Sequence, residues 1–329
     1  MPIASNPALR RVVRVLQRQS SPGWGPDYQP AMRATRSEAP AMSRASLLYS
    51  AQLGRTIHAH STAEQGAVLL ALYHNALFDL HEQQFLSPEP TLHPLQEHPL
   101  AGGRDLPAIS GTLAIADRLA LGSFHPKARC DVLDEFGQVD ESNSYWMAGH
   151  WIGDLLLFML DEDGGYCVFW DVKAKVGDHD KPGPRARPGR SSRATQRAQA
   201  RFRIQQEYYA EAGIKTVCVA GAQIDEHVRN NLRALFCWSI HPPQMSARQR
   251  RALLGRLRVA LHDGTPPLAV MTSFGGEEGL RFENCKRLFY QAIWRRDLRV
   301  DLFKPVVVDW PMRPETRDVL VEHADWFSR

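Results

Sequence analysis

The sequence predicts an α/β layered fold followed by a smaller, mainly helical module. Three observations carry this. Apolar residues Val68, Leu69, Leu72 and Tyr73 recur at helical spacing within 61–75, and L-F-D-L-H-E-Q-Q-F-L (77–86) then reads as a strand. Two β-rich runs, 151–160 and 166–174, flank D-E-D-G-G (161–165), a hairpin signal with acidic and glycine residues at its tip. A helix rich in Gln, Arg and Ala over 193–212 closes at Gly213 and leads into a short buried-type strand, I-K-T-V-C-V-A (214–220). The order helix, strand, hairpin, helix, strand describes one α/β layer domain.

The remaining segments fall around that core. Residues 1–50 hold Arg10, Arg11, Arg14, Arg18, Arg33, Arg36 and Arg44 against only Asp27 and Glu38. Val12, Val13, Leu16 and the arginines make a short amphipathic helix, which S-S-P-G-W-G-P-D-Y-Q-P (20–30) breaks. This reads as a basic, partly disordered extension that orders on a polyanion, or else as a solvated tail. Pro88 to Pro107 is a proline-punctuated loop, and 109–121 a further helix ending near Gly122. His241-Pro242-Pro243 ends the layer domain, which spans 51–240. In 241–329, helical patterns at 246–262 and 281–296 precede two strand-like pieces, L-R-V-D-L-F (298–303) and P-V-V-V-D-W (305–310). Helices followed by a small hairpin suggest a winged-helix-type module.

Composition sets the outer limits. A chain of 329 residues is long for one average domain and about right for two. With 43% hydrophobic and 23% charged residues it is not disordered, collagen-like or a coiled coil as a whole. The net charge, 40 − 36 = +4, is too mild to imply nucleic acid by itself, so the placement of charge matters more. Five cysteines, Cys130, Cys167, Cys218, Cys237 and Cys285, are odd in number and widely spaced, with no C-x-x-C. That argues against a disulfide framework or a thiolate zinc site and favours a reducing cytoplasm. The greasiest run, Trp151 to Leu160, carries Asp154 in its middle and falls short of the ~20 residues of a membrane span. M-P-I-A-S-N-P-A-L-R-R lacks the apolar core of an export signal.

The hairpin holds the chemistry. Asp154 interrupts the apolar strand W-I-G-D-L-L-L-F-M-L, and Asp171 and Lys173 sit in Y-C-V-F-W-D-V-K-A. A carboxylate in a buried strand is costly unless it is paired or binds a cation. Strand side chains alternate faces, so Asp171 and Lys173 point the same way, roughly 7 Å apart, and the turn brings Asp154 level with them. Hard carboxylate oxygens suit Mg²⁺, which acidifies bound water and stabilises charge on phosphate oxygens. The Val172 carbonyl adds an oxygen. Lys173 would orient or deprotonate the attacking water, or neutralise the phosphorus-centred transition state, and its charge keeps both carboxylates ionised. The plain alternative is an ion pair on a hairpin edge. Glu64 opens the preceding helix in S-T-A-E (61–64), where it could also reach a metal. Ser61-x-x-Glu64 is also a capping-box pattern worth about 1 kcal/mol.

These residues resemble the TnsA-type transposon endonucleases, members of the restriction-endonuclease-like, PD-(D/E)XK superfamily. The resemblance rests on R-T-I-H-A-H-S-T-A-E (55–64), F-D-L-H-E-Q-Q-F (78–85), L-G-S-F-H-P (121–126), G-D-L-L (153–156) with D-V-K (171–173), A-Q-A-R-F-R-I-Q-Q-E-Y-Y-A-E-A-G-I (198–214) and N-C-K-R-L-F-Y-Q-A-I-W-R-R-D-L-R-V-D-L (284–302), in family order. It implies a mixed sheet flanked by helices with a C-terminal winged helix. It places the family's metal-site acids at Glu64 and Asp154 and its lysine at Lys173. Asp171 stands where the family has glutamine, which returns the site to the D-x-K form of the wider fold. The metal implied is Mg²⁺, with Mn²⁺ able to substitute. The activity implied is hydrolysis of the 5′, non-transferred strand of double-stranded DNA at transposon ends. An integrase-type transposase would cut the other strand, and the C-terminal domain would dock an AAA+ regulator.

Charge placement agrees with a nucleic-acid substrate. From Lys173 to Arg203 stand ten basic residues against Asp178 and Asp180. Lys175, Arg185, Arg187, Arg190, Arg193 and Arg197 are the candidate DNA contacts, mostly on a Gly/Pro-rich basic loop at 177–197 that leaves directly from the Lys173 strand. Such contacts are sequence-blind and salt-sensitive; a solvated loop is the alternative. Among thirteen histidines no H-E-x-x-H appears, so zinc catalysis is not indicated. His60, His125 and Gln83 are retained as groups beside the site. Gly275-Gly276 lacks the Lys-Ser/Thr of a phosphate loop, and Phe282, Phe289, Tyr290 and Trp294 read as core. Two other functions fit the residues: a stand-alone restriction, defence or repair nuclease, and a catalytically idle DNA-binding adaptor.

Overall fold

The structure, a computed structural model, describes residues 6–21, 23–40, 43–179, 181 and 191–329. Helix α1 (Pro7–Gln19) is capped by Asn6, whose side chain accepts from the Leu9 N–H, with proline at the first helical position. A ribbon of β1 (Ser46–Ser50) and β2 (Arg55–Ala59) leads into α2 (Thr62–Leu72) and β3 (Leu77–Leu86). Then come α3 (Thr112–Arg118), a second ribbon of β4 (Lys127–Leu133) and β5 (Val139–Ala148), and the hairpin β6 (Trp151–Asp161) and β7 (Gly164–Lys173). Next are α4 (Ser191–Glu211), β8 (Lys215–Ala220) and α5 (Glu226–Ser239). The chain closes with α6 (Ala247–Asp263), α7 (Pro267–Glu278), α8 (Phe282–Trp294) and the single turns α9 (Val319–Glu322) and α10 (Ala324–Phe327).

The central sheet has the order β3-β6-β7-β8, antiparallel except for the parallel pair β7 and β8. A parallel return needs a crossover, and α4 supplies it. Alternation along the strands divides the core. Leu155, Leu157, Met159, Val168 and Trp170 face α2 and α5, while Leu156, Phe158, Cys167 and Phe169 face Ile204, Tyr208 and Tyr209 of α4. With both faces covered, β6 and β7 read as nearly continuous apolar runs. The result is a mixed α/β fold with a four-stranded sheet flanked by helices.

The C-terminal part differs from expectation. Residues 298–303 and 305–310 are not strands; among the described residues their one strand-like pairing is a bridge between Val300 and Pro314. Their backbone is claimed by a side chain instead. Asn231 of α5 donates to Leu302 O at 2.8 Å and Lys304 O at 2.7 Å, and accepts from Val306 N at 3.1 Å. The hairpin expected of a winged-helix-type module is therefore not formed. Nor does the core stop at 240: Leu232 and Phe236 of α5 share one buried cluster with Leu253 and Leu257 of α6 and Phe289 of α8. The last turn reaches back to β7, where Trp170 Nε1 donates to Trp326 O at 2.7 Å.

The described N-terminal residues pack onto the layer domain. Val15 of α1 is buried with Ala31 and Ile152. Tyr28 is buried and donates to Glu82 O at 2.7 Å, and Ala31 N donates to Gln83 O at 3.1 Å. This segment thus covers β3, the edge strand of the sheet, whose open backbone would otherwise invite pairing with another chain. Arg18 grips Glu38 with two hydrogen bonds of 2.7 and 2.8 Å, and that contact holds the Glu38 carboxyl down to about 2.

The β1–β2 ribbon is tied to the sheet by a buried ion pair. Arg55 Nη1 donates to both oxygens of Glu82, at 3.0 and 2.8 Å, and His58 N donates to Glu82 Oε1 at 3.0 Å. Burial pushes the Glu82 carboxyl up to about 7, against the pull of Arg55. Breaking one side of such a pair strands the other charge, which costs about 3–5 kcal/mol. We expect Glu82→Leu to destabilise the fold by that order in urea unfolding; a loss below about 1 kcal/mol would show the pair to be dispensable.

Candidate active site

The site lies where β6 and β7 part. Their pairing ends at Leu155 and Trp170. Beyond it, the Val172 N–H is taken at 2.8 Å not by a backbone carbonyl but by Asp154 Oδ2. Packing of α4 fixes the neighbouring position: a Cβ on Gly153 would come within 2.8 Å of the Phe169 ring and 2.9 Å of the Tyr209 hydroxyl. The register also places Gln83 opposite Asp154, between the pairs Glu82–Leu155 and Gln84–Gly153. Gln83 has φ +52°, unusual for a residue with a side chain, and is skipped by the ladder.

Lys173 collects the oxygens. Its Nζ lies 2.8 Å from Asp154 Oδ2, 2.8 Å from Asp171 Oδ1 and 3.1 Å from the Val172 carbonyl. Burial alone would lower its pKa, but the charges of Asp154 and Asp171 outweigh burial and raise it above the ordinary lysine value. In this ion pair Lys173 is an ammonium. Burial likewise favours a neutral Asp171, yet the hydrogen bond from His179 and the Lys173 charge hold its carboxyl far below the usual range. His179 Nδ1 contacts Asp171 Oδ2 at 2.5 Å, and Gln205 of α4 reaches Asp171 Oδ1 at 3.5 Å.

Glu64 forms the adjoining half. Its Oε2 accepts from His60 N at 3.0 Å and from Gln83 Nε2 at 3.2 Å, and its Oε1 accepts from the Ser61 hydroxyl at 3.2 Å. Ser61 Oγ accepts in turn from Glu64 N, so the helix cap and the acidic site share one group. Burial and then the Asp154 charge lift the Glu64 carboxyl to about 7. His60 Nε2 lies 3.3 Å from the Met32 carbonyl and, facing that acceptor, carries the proton. Burial lowers the His60 pKa, so the ring is neutral and Nδ1 keeps a lone pair, buried and without a partner among the described residues.

The sequence-derived residues thus separate. Asp154, Asp171, Lys173 and the Val172 carbonyl form one bonded group, Glu64, Gln83 and His60 another, and the Asp154 charge acts on Glu64 across the two. His125 joins neither: its ring meets Thr112 Oγ1 at 3.0 Å and packs against Trp151. Lys175 and Arg193 are exposed, and Arg197 is exposed on the wall of a cavity beside the site. Arg185, Arg187 and Arg190 lie outside the described residues. Residues 191–197, where the expected basic loop overlaps the expected helix, are the first turns of α4. Sequence reasoning missed His179, which nothing in its Gly- and Pro-rich surroundings marks. It also missed Gln205, which a closer reading would find as the polar member of the buried stripe Ile204, Gln205, Tyr208, Tyr209.

Among the described residues no three His, Cys, Asp or Glu side chains stand close enough to hold a metal ion by themselves. The donor set nevertheless fits a hard divalent cation. Two carboxylate oxygens and a carbonyl already converge on one positive point, now the Lys173 ammonium, and the unpartnered His60 Nδ1 belongs to the Glu64 half of the cluster. A cation taking these oxygens would displace the ammonium from them. No family model matches the chain, and no curated protein matches it.

The raised Glu64 value has a consequence for stability. Its folded pKa, about 7, lies above the ordinary 4.5, so the native state binds this proton the more tightly. That stabilisation is full below the ordinary value and is lost as pH rises through about 7. We expect the melting temperature of the metal-free wild type to fall relative to Glu64→Gln between about pH 5 and pH 8. Parallel curves would contradict the assignment.

Proposed function

We propose that the chain is a divalent-metal-dependent DNA endonuclease with a restriction-endonuclease-like core. The observation that supports this best is the convergence of Asp154 Oδ2, Asp171 Oδ1 and the Val172 carbonyl on one cationic point. In this reading those three oxygens hold Mg²⁺ or Mn²⁺, with Glu64 beside them. The bound ion supplies positive charge to the phosphate oxygens and acidifies the attacking water. Lys173, displaced from the carboxylates, would donate hydrogen bonds to that water or to the phosphate. Neutral His60 offers Nδ1 as an acceptor close to the same place. Gln83 and Ser61 orient Glu64, and His179 orients Asp171.

Following the TnsA-type resemblance, the substrate is the 5′, non-transferred strand at transposon ends. The partners are an integrase-type transposase and an AAA+ regulator, the latter docking on the helices α6–α8 in the place of the winged helix. A second reading draws support from the Lys173 contacts themselves. An ammonium that satisfies both carboxylates is also what an inert ion pair looks like, as in a DNA-binding adaptor without catalysis.

The test is Mg²⁺-dependent nicking of duplex DNA carrying candidate ends, by the chain alone and with its transposase. Removing one hydrogen-bond donor aimed at developing charge costs about 10²–10³-fold in rate. Lys173→Ala should therefore nick at least a hundredfold more slowly than wild type while binding DNA. Equal nicking would contradict the nuclease reading. Full transposition supported by Lys173→Ala would establish the adaptor.

A further inference from the structure

A cavity of about 910 Å³ opens from Asp171 and Lys173 and runs between α4 on one side and α1 with the start of β4 on the other. Its basic lining is Arg11, Lys127, Lys173, Lys181, Arg197 and Arg201, against the acids Asp171 and Asp178. Both acids are already engaged: Asp171 by Lys173 and His179, and Asp178 by Lys181 at 4.0 Å. Lys173 is neutralised in the same way, and Arg201 is turned to the Ile152 carbonyl at 2.8 Å. Arg11, Lys127 and Arg197 remain, with no carboxylate within ion-pair distance among the described residues. They sit on three different elements around one opening.

The design of α1 makes its part in this specific. Val12 and Val15 fix the helix against the sheet, and the Asn6 side chain ties its start to Arg129 O of β4 at 2.9 Å. Of the arginines on the inner turns, Arg18 is paired with Glu38 and Arg14 lies 3.6 Å from it. Arg11, one turn earlier, instead lines the cavity, and its nearest polar partner is Met32 Sδ at 3.8 Å. Unpaired like charges gathered around a cleft repel one another and raise the local concentration of anions.

We infer that α1 is the second jaw of a duplex-DNA cleft, with Arg11 and Lys127 holding backbone phosphates across the cavity from Arg197. The inference rests on the nuclease reading and adds to it a chain segment that the catalytic motif does not include. The phosphodiester at Lys173 then lies between two sets of phosphate contacts, which fixes it along the strand. The contacts are made to backbone and not to bases, so they position the duplex without selecting its sequence.

The experiment is fluorescence anisotropy of a labelled duplex titrated with full-length protein in EDTA, so that no strand is cut, over a series of salt concentrations. Arg11→Ala, Lys127→Ala and the double variant are compared with wild type and with Arg14→Ala, which removes the same charge from the same helix outside the cavity. Both substituted side chains are exposed, and circular dichroism checks that each variant is folded. Each lost phosphate contact should reduce the slope of log affinity against log salt by about 0.9 and weaken binding roughly eightfold at 0.1 M salt. The double variant should lose about twice that slope, and Arg14→Ala much less. A double variant with wild-type affinity and slope overturns the inference while leaving the nuclease reading intact. So does an Arg14→Ala effect equal to that of Arg11→Ala. A wild type that binds no duplex overturns both.

Discussion

The parting of β6 from β7 after the Leu155–Trp170 pair is the constraint on which the site depends. It frees the Val172 N–H for the Asp154 carboxylate and leaves the Val172 carbonyl to the Lys173 ammonium. Had the ladder continued, these groups would be spent on backbone pairing, and Asp154 would keep only the Lys173 ammonium as a donor. Gly153 shows why the strand is held there. The Phe169 ring and the Tyr209 hydroxyl occupy the space of its missing side chain, so α4 presses directly on the β6 backbone. Tyr209 is itself anchored, stacked on Phe169 and donating to Gln84 Oε1 at 3.0 Å. Packing and chemistry are thus set by the same helix.

The two halves of the cluster hold opposite charge states for opposite reasons. Asp171 is ionised because His179 and Lys173 stabilise its charge. Glu64 is pushed toward its neutral form because it is buried and shares the field of Asp154. Carboxyls whose environments separate their pKa values in this way are a common mark of catalytic sites, although structural ion pairs also produce it. The N-terminal segment contributes to this through Met32, whose carbonyl fixes the His60 tautomer, and through Ala31, which closes the β3 edge at Gln83.

The sequence carried the layer domain well, because its strands and helices have strong and distinct periodicities. The hairpin, β3, α2, α4 and β8 were all readable, as was the juxtaposition of Asp154, Asp171 and Lys173, which follows from alternation and one turn. The ribbon β4–β5 was not. Its second strand is exposed, with Tyr145 and Trp146 facing outward, so no apolar alternation marks it. The 298–310 segment misled for the converse reason. Its valines and leucines look like strands, but Leu298, Val300 and Leu302 are buried in the core and the backbone is held by Asn231, a contact between residues roughly seventy positions apart that no local pattern encodes. The packing of the N-terminal segment was not legible because its composition is dominated by arginine, while its anchors are single residues, Tyr28 and Ala31. His179 was missed because its position beside Asp171 depends on the course of a loop.

The central claim is that the oxygens now held by Lys173 form a divalent-cation site. It is tested most directly by electron paramagnetic resonance of Mn²⁺ titrated into the protein with duplex DNA present, comparing wild type with Asp154→Ala. Wild type is expected to bind Mn²⁺ and the variant to lose it, since the Asp154 carboxylate supplies one of the three converging oxygens. No binding in wild type, or equal binding in both, would contradict the claim and leave Asp154, Asp171 and Lys173 as a structural ion pair.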